Sequence, residues 1–93
     1  MTIGLLHLDL RIPGARSLKD KRRVLKSLKQ QLHNRFNCSV AEVDFQDRWG
    51  RARLAACVVS NERRHVDAQL SAIINFASAK PGAEVVDHQS EML

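Results

Sequence analysis

Aromatic residues are scarce in this 93-residue chain, and the scarcity sets a first limit. Tyrosine is absent, and Phe36, Phe45, Trp49 and Phe76 are the whole aromatic set. A module that stacks unpaired bases on a row of aromatic side chains is hard to build from that stock. Long apolar runs are also missing. No stretch approaches the roughly 18–20 apolar residues that a membrane-spanning helix needs. The opening Met1-Thr2-Ile3-Gly4-Leu5-Leu6-His7-Leu8-Asp9-Leu10 has no basic lead, and His7 and Asp9 interrupt it, so it does not read as a secretion signal. The expected compartment is the cytoplasm. There Cys38 and Cys57 read as free thiols. No Cys-x-x-Cys or His-x-x-x-His spacing points to a metal. The four glycines are isolated, so no phosphate-cradling loop is expected. His7, His33, His65 and His88 lie in no triad or ligand motif. His7 and Asp9, neighbours on one strand face, read as an ordinary surface pair. The expectation is a protein with no catalytic residue, cofactor or small-molecule substrate.

Acidic residues are scarce in one particular place. Residues 11–35 hold nine Lys or Arg against one acid, Asp20, a local charge of +8. The whole chain carries +5, so the other 68 residues sum to −3. Such asymmetry points to a polyanionic or acidic partner for this segment.

The length bounds the chain to one domain, residues 1–93. Residues 3–12 alternate, with Leu6, Leu8, Leu10 and Ile12 on the buried face of a first strand. Pro13-Gly14 ends it. Ser17 is a natural N-cap, and Asp20 sits where an acid favours the positive end of a helix. Leu18, Leu25, Leu28, Leu32 and Phe36 then recur at helical spacing, which predicts an amphipathic helix over 17–36. Lys21 and Arg35 flank the apolar side, where their stems can snorkel. Residues 38–44 and 51–59 read as two strands. A hairpin symmetric about the Asp44–Gly50 segment sets Glu42 opposite Arg53, Asp44 opposite Arg51, Val40 opposite Ala55 and Cys38 opposite Cys57. That register makes two opposite-charge pairs. It sends Ala41, Val43, Ala52, Leu54, Ala56 and Val58 into the core. Ser60-Asn61 opens a second helix with Val66, Leu70, Ile73, Ile74 and Ala77 as its stripe, and Lys80-Pro81-Gly82 closes it. Residues 83–89 form a last strand. The order β-α-β-β-α-β predicts the ferredoxin-like α+β fold: a four-stranded antiparallel sheet with two helices on one face. Right-handed crossovers put strand 1 beside strand 3 at the centre, with strands 2 and 4 at the edges.

Arg11-Ile12-Pro13, Ser17-Leu18-Lys19-Asp20-Lys21-Arg22, Val24-Leu25, Phe36-Asn37, Ser39-Val40-Ala41-Glu42, Gln46-Asp47 and Trp49 together resemble the YlxP-like family, small bacterial proteins catalogued as a domain of unknown function. The likeness runs over essentially the whole chain. Where that family usually has Gln after the Trp, this chain has Gly50. The resemblance implies a ferredoxin-like fold and a bacterial cytoplasmic protein whose gene often lies near translation factors. It implies no catalytic residues.

Two surfaces stand out as candidate sites. Lys19, Arg22, Arg23, Lys26, Lys29 and His33 share the outer arc of the first helix, and Arg16 adjoins them. Like charges at i, i+3 and i+4 repel by roughly 0.2–0.5 kcal/mol a pair, so a compensating anion would relieve them. Contact with the phosphates of structured RNA, ribosomal RNA among the candidates, is the leading expectation. A merely solvated face, an acidic protein or a membrane surface are its alternatives, and the last conflicts with the use of the leucine face in the core. The second surface is the outer sheet face, where Ile3, Leu5, Val40, Ala55 and Val59 form an apolar patch. Either it joins two copies as a homodimer, or the tail Glu91-Met92-Leu93 covers it, or it is scattered exposure. In the Asp44–Gly50 loop, either Trp49 caps the core or Phe45 or Trp49 anchors a protein partner. An adaptor protein using these sheet and loop residues is the alternative to RNA binding.

Overall fold

The computed structural model describes residues 1–93. Its elements run β1 (Thr2–Arg11), α1 (Leu18–Arg35), β2 (Cys38–Asp44), β3 (Arg51–Ser60), α2 (Arg63–Ser78) and β4 (Glu84–Met92). All strand pairs are antiparallel and the sheet order is β2-β3-β1-β4. This is the expected ferredoxin-like arrangement, with β1 and β3 central. Both helices pack on one face, α1 over β2 and α2 over β1, β3 and β4.

The period-2 pattern of β1 works as read: Leu6, Leu8 and Leu10 are fully buried and meet Ala52, Leu54 and Ala56 of β3 in register. Gly4 occupies an inward position between them and the start of α2. A Cβ there would run into Val66 Cγ1 and Leu70, so glycine is what lets α2 lie close to the sheet. Ser17 caps α1 by accepting the Asp20 N–H at 3.1 Å, while Asp20 accepts the Arg16 N–H at 3.1 Å. Leu25, Leu28 and Leu32 bury the inner face of α1, and Val66, Leu70, Ile73 and Ala77 that of α2. Phe36 meets Phe76 edge to face with centroids 6.1 Å apart, and the Arg35 guanidinium lies 4.7 Å over the Phe76 ring. Two of the four aromatics are thus used to join the helix ends.

Several expectations are corrected. The hairpin register is one residue away from the symmetric one: Cys38 pairs with Val58, Val40 with Ala56 and Glu42 with Leu54. Because side chains alternate, the slip turns β2 over. Cys38, Val40 and Glu42 face the helices; Ser39, Ala41 and Val43 face outward. The cysteines are not opposed, since Cys38 is on the inner face and Cys57 on the outer. A bulge before Asp44 then sets that residue opposite Arg53. α2 begins at Arg63, not at Ser60-Asn61, because the Ser60 hydroxyl accepts the Glu62 N–H at 3.2 Å and makes a turn first. β4 runs to Met92, so the tail extends the edge strand and does not fold over the sheet. Leu93 continues the pairing, donating its N–H to Ile3 O at 2.8 Å.

Candidate nucleic-acid interface

α1 is 18 residues long, about 27 Å, and its position is fixed by its leucine face. That anchoring leaves the opposite arc pointing away from the sheet. Arg16, Lys19, Arg22, Arg23, Lys26 and His33 are exposed and Lys29 is half-buried. The ion pairs of the protein are Arg11–Glu84, Lys21–Glu42, Arg53–Asp9 and Arg53–Asp44, so none of the arc's ammonium or guanidinium groups has a carboxylate within 4 Å. His33 turns its Nδ1 back to within 3.4 Å of the Cys38 carbonyl, which ties it to the α1–β2 turn more than to the arc. Lys19, Arg22, Arg23, Lys26 and Lys29 lie along one side of α1, and Arg16 precedes the helix in the loop.

Lys21 belongs to none of this. Its side chain is 1% exposed, not snorkelling, and its ammonium sits beneath the β2–β3 loop. It donates to the Phe45 carbonyl at 2.6 Å and the Gln46 carbonyl at 3.5 Å, and approaches Glu42 Oε2 at 2.8 Å. Glu42 Oε2 has no other hydrogen-bond partner, so the Lys21 ammonium is what offsets its burial. The Lys21–Glu42 pair favours this register of β2. A buried ammonium left without an anion costs several kcal/mol, more than the roughly 1.5–3 kcal/mol at stake in burying a valine. β2 turns Glu42 inward to Lys21 and leaves Val43 44% exposed.

Phe45, held by Lys21 through its carbonyl, adopts φ 61°, and its half-buried ring is ringed by the guanidiniums of Arg51 at 4.6 Å, Arg53 at 5.4 Å and Arg48 at 5.9 Å. Arg48 and Arg51 have no carboxylate partner, so the loop adds a small cationic cluster that the sequence reading did not single out. Trp49 is 54% exposed and does not cap the core.

On the outer sheet face the expected pairs Glu42–Arg53 and Asp44–Arg51 are replaced. Arg53 joins Asp9 through Nε at 2.6 Å and Nη2 at 3.2 Å, and reaches Asp44 at 3.5 Å. The hydrogen bonds from Arg53 hold the Asp9 carboxyl below its usual 3.8, and Asp9 in turn raises the guanidinium's pKa. A carboxylate stabilised in this way is a poor general base. It shares a polar depression with His7, Asp87, His88 and Gln89, whose main feature is this ion pair. Burial raises the Cys38 thiol, which donates weakly to the Leu32 carbonyl at 3.7 Å, so it is a poor nucleophile. Ile3, Leu5, Ala55 and Val59 do lie together on the outer face. Val40 does not: it packs against the core, and Ala41, opposite Ala55, takes its place. Phe45 and Trp49 belong to the loop at the other end of the sheet, beyond the Asp9–Arg53 pair. No helix is long and apolar enough to cross a membrane.

Residues 3–90 match the family model described as "Protein of unknown function (DUF503)". The chain belongs to this family. A relative of the DUF503 chain is the "Uncharacterized protein YlxP" of Bacillus subtilis (strain 168), 34% identical over 82 residues, which span 88% of this chain and 89% of the relative. The fold has designed counterparts. One is the de novo designed protein Ferredog-Diesel, at TM-score 0.50 and 15% identity, with 96% of this chain and 83% of that one covered. Another is the solution NMR structure of the de novo designed protein LFR1 1 with ferredoxin fold, at TM-score 0.51 and 11% identity, with 99% and 84% covered. These two likenesses concern the fold alone, and the functional reading of this DUF503 protein rests on its own surface.

Proposed function

We propose that the protein is a non-enzymatic binding module of the cytoplasm that lays the outer arc of α1 on the phosphate backbone of structured RNA, with ribosomal RNA the first candidate. The observation that carries this reading is the run of exposed, carboxylate-free cations on a helix that the core holds rigid. Solvated helix faces usually interleave acids with bases at i and i+4. Asp20, three residues before Arg23, is the one acid beside this arc; the other cations three and four apart repel one another, and a polyanion would offset that repulsion. Lys19, Arg22, Arg23, Lys26 and Lys29 supply the phosphate contacts and Arg16 assists from the preceding loop. Four or five such contacts give a log–log salt slope of roughly −3 to −4.5. Filter binding to total cellular RNA, titrated with salt, measures that slope. The triple variant Arg22→Glu, Lys26→Glu and Lys29→Glu should lose binding at least about a hundredfold, with the circular dichroism spectrum unchanged. Undiminished binding by that variant would refute the helix-face reading.

The uncovered sheet face supports a second reading, a homodimeric adaptor. Both helices lie on the other side, and Ile3, Leu5, Ala55 and Val59 meet solvent together, Val59 being 52% exposed. Joining two such faces, with Phe45 and Trp49 as partner anchors at the loop end, would bury them. Leu5→Asp should then convert the dimer to monomers on a sizing column. An elution volume identical to that of the parent rules out this interface.

A further inference from the structure

The outer arc of α1 changes character along its length. Its first half is cationic: Lys19, Arg22, Arg23 and Lys26. Its second half continues the same line with neutral amides, Gln30 and Asn34, flanked by Lys29 and His33 on one side and by Gln31 on the other. From Lys19 to Asn34 the line spans about 22 Å. Two open depressions lie along it and share Gln31. One is bordered by Arg23, Lys26, Ser27, Gln30 and Asn34; the other, between α1 and the end of α2, by Arg35, Phe76 and Lys80. Neither has a carboxylate in its lining. The floor is organised. Ser27 Oγ accepts from Gln31 Nε2 at 3.3 Å and from Lys80 Nζ at 2.9 Å, which ties α1 to the α2–β4 turn. Those bonds leave the Ser27 hydroxyl proton and the Gln31 carbonyl oxygen free to meet a ligand. Gln30 and Asn34 are exposed one turn apart, each with an amide that can both donate and accept.

Phosphates ask only for donors, which Lys and Arg supply. A row of groups that donate and accept matches a ligand that does the same. The ribose 2′-hydroxyl is such a group, and it lies along the wide, shallow minor groove of A-form RNA. Single strands call for stacking aromatics, and the one aromatic at this groove, Phe76, is covered by the Arg35 guanidinium. We infer that the amide half of α1 reads ribose 2′-hydroxyls in the minor groove of double-stranded RNA while the cationic half holds the flanking phosphates, so that the protein selects duplex RNA over duplex DNA. The inference rests on the α1 reading above and adds to it the class of nucleic acid and the residues that choose it.

Fluorescence anisotropy with a labelled RNA duplex of about 20 base pairs, the DNA duplex of the same sequence and one RNA strand alone tests it. The RNA duplex should bind at least about tenfold more tightly than either competitor. The double variant Gln30→Ala and Asn34→Ala should bring the RNA-to-DNA ratio to within about threefold, with the salt slope of RNA binding unchanged because no phosphate contact is lost. Both residues are exposed, and the thermal melt of the variant should match the parent. Equal affinity for the RNA and DNA duplexes overturns the inference while leaving the helix-face reading intact. So does tighter binding of the single strand, or a double variant that weakens RNA and DNA alike. Failure of all three nucleic acids to bind overturns both.

Discussion

Lys21 and Lys26 stand five residues apart on one helix and have opposite fates. Lys21 is sealed beneath the β2–β3 loop with a carboxylate and two carbonyls around its ammonium. Lys26 is exposed and has no carboxylate within 4 Å. The two side chains differ only in where the helix turn points them. One cation is part of the fold: it fixes which way β2 faces, holds Phe45 at a positive φ and supports the loop that carries Trp49. The other contributes nothing to the fold that its neighbours do not oppose, and that is what makes it available to a ligand. Charge count alone cannot separate these roles; partner geometry does.

The contrast can be broken most severely at Lys21. Lys21→Met removes the only cation near Glu42 and should destabilise the protein by about 3 kcal/mol or more, a Tm loss of at least about 12 °C by calorimetry. Lys21→Met combined with Glu42→Leu removes both charges and should recover most of the loss. A Lys21→Met protein that melts with the parent would mean that the pair does not set the register.

Asp9 gives an intermediate effect with a pH signature. Its carboxyl is held below the usual 3.8 by Arg53, so the folded state binds that proton less readily than the unfolded one. The stabilisation is complete above the unfolded value and is lost as pH falls through the folded one. The Tm difference between the parent and Asp9→Asn should therefore be largest above about pH 5 and should close by about pH 2. A difference that stays constant over that range would assign the effect to packing.

At the exposed end of the comparison the change is smallest in stability and visible only in binding. Lys26→Ala should shift stability by no more than about 0.5 kcal/mol, with a slight gain possible from relieved repulsion with Arg22 and Lys29. The same substitution should reduce the salt slope of RNA binding by about one. A large loss of stability at Lys26 would erase the distinction from Lys21.

The two faces of the sheet tell how much could be read ahead. β1 and β3 are central, each with one face under helices, so their alternation is strict and their inward residues were legible: Leu6, Leu8, Leu10, Ala52, Leu54, Ala56 and Val58 are all buried. β2 is an edge strand of mixed pattern, Cys-Ser-Val-Ala-Glu-Val-Asp, in which either face supplies apolar residues. Charge pairing with Arg53 favours the symmetric register there, but the stronger demand comes from Lys21, whose partner Glu42 is 21 positions away in sequence. The bulge before Asp44 hid the slip further, because it restores an Asp44–Arg53 pair at the loop end. The candidate interface was legible in its cations, since helical spacing and the leucine stripe together define the outer arc. The amide half of the arc and the Ser27–Lys80 tie were not, because neutral polar residues carry no signal until a second element is seen to frame them.

By itself, then, the sequence determined the order of elements, the central strands, the two helix faces and the location of the basic arc. All of these follow from local periodicity, caps and turns, which act over a few residues. Tertiary structure alone decided the hairpin register, the burial of Lys21, the separation of Cys38 from Cys57 and the free exposure of Trp49. These depend on which distant groups meet in a low-dielectric interior, where one unpaired charge outweighs the preferences of a whole edge strand.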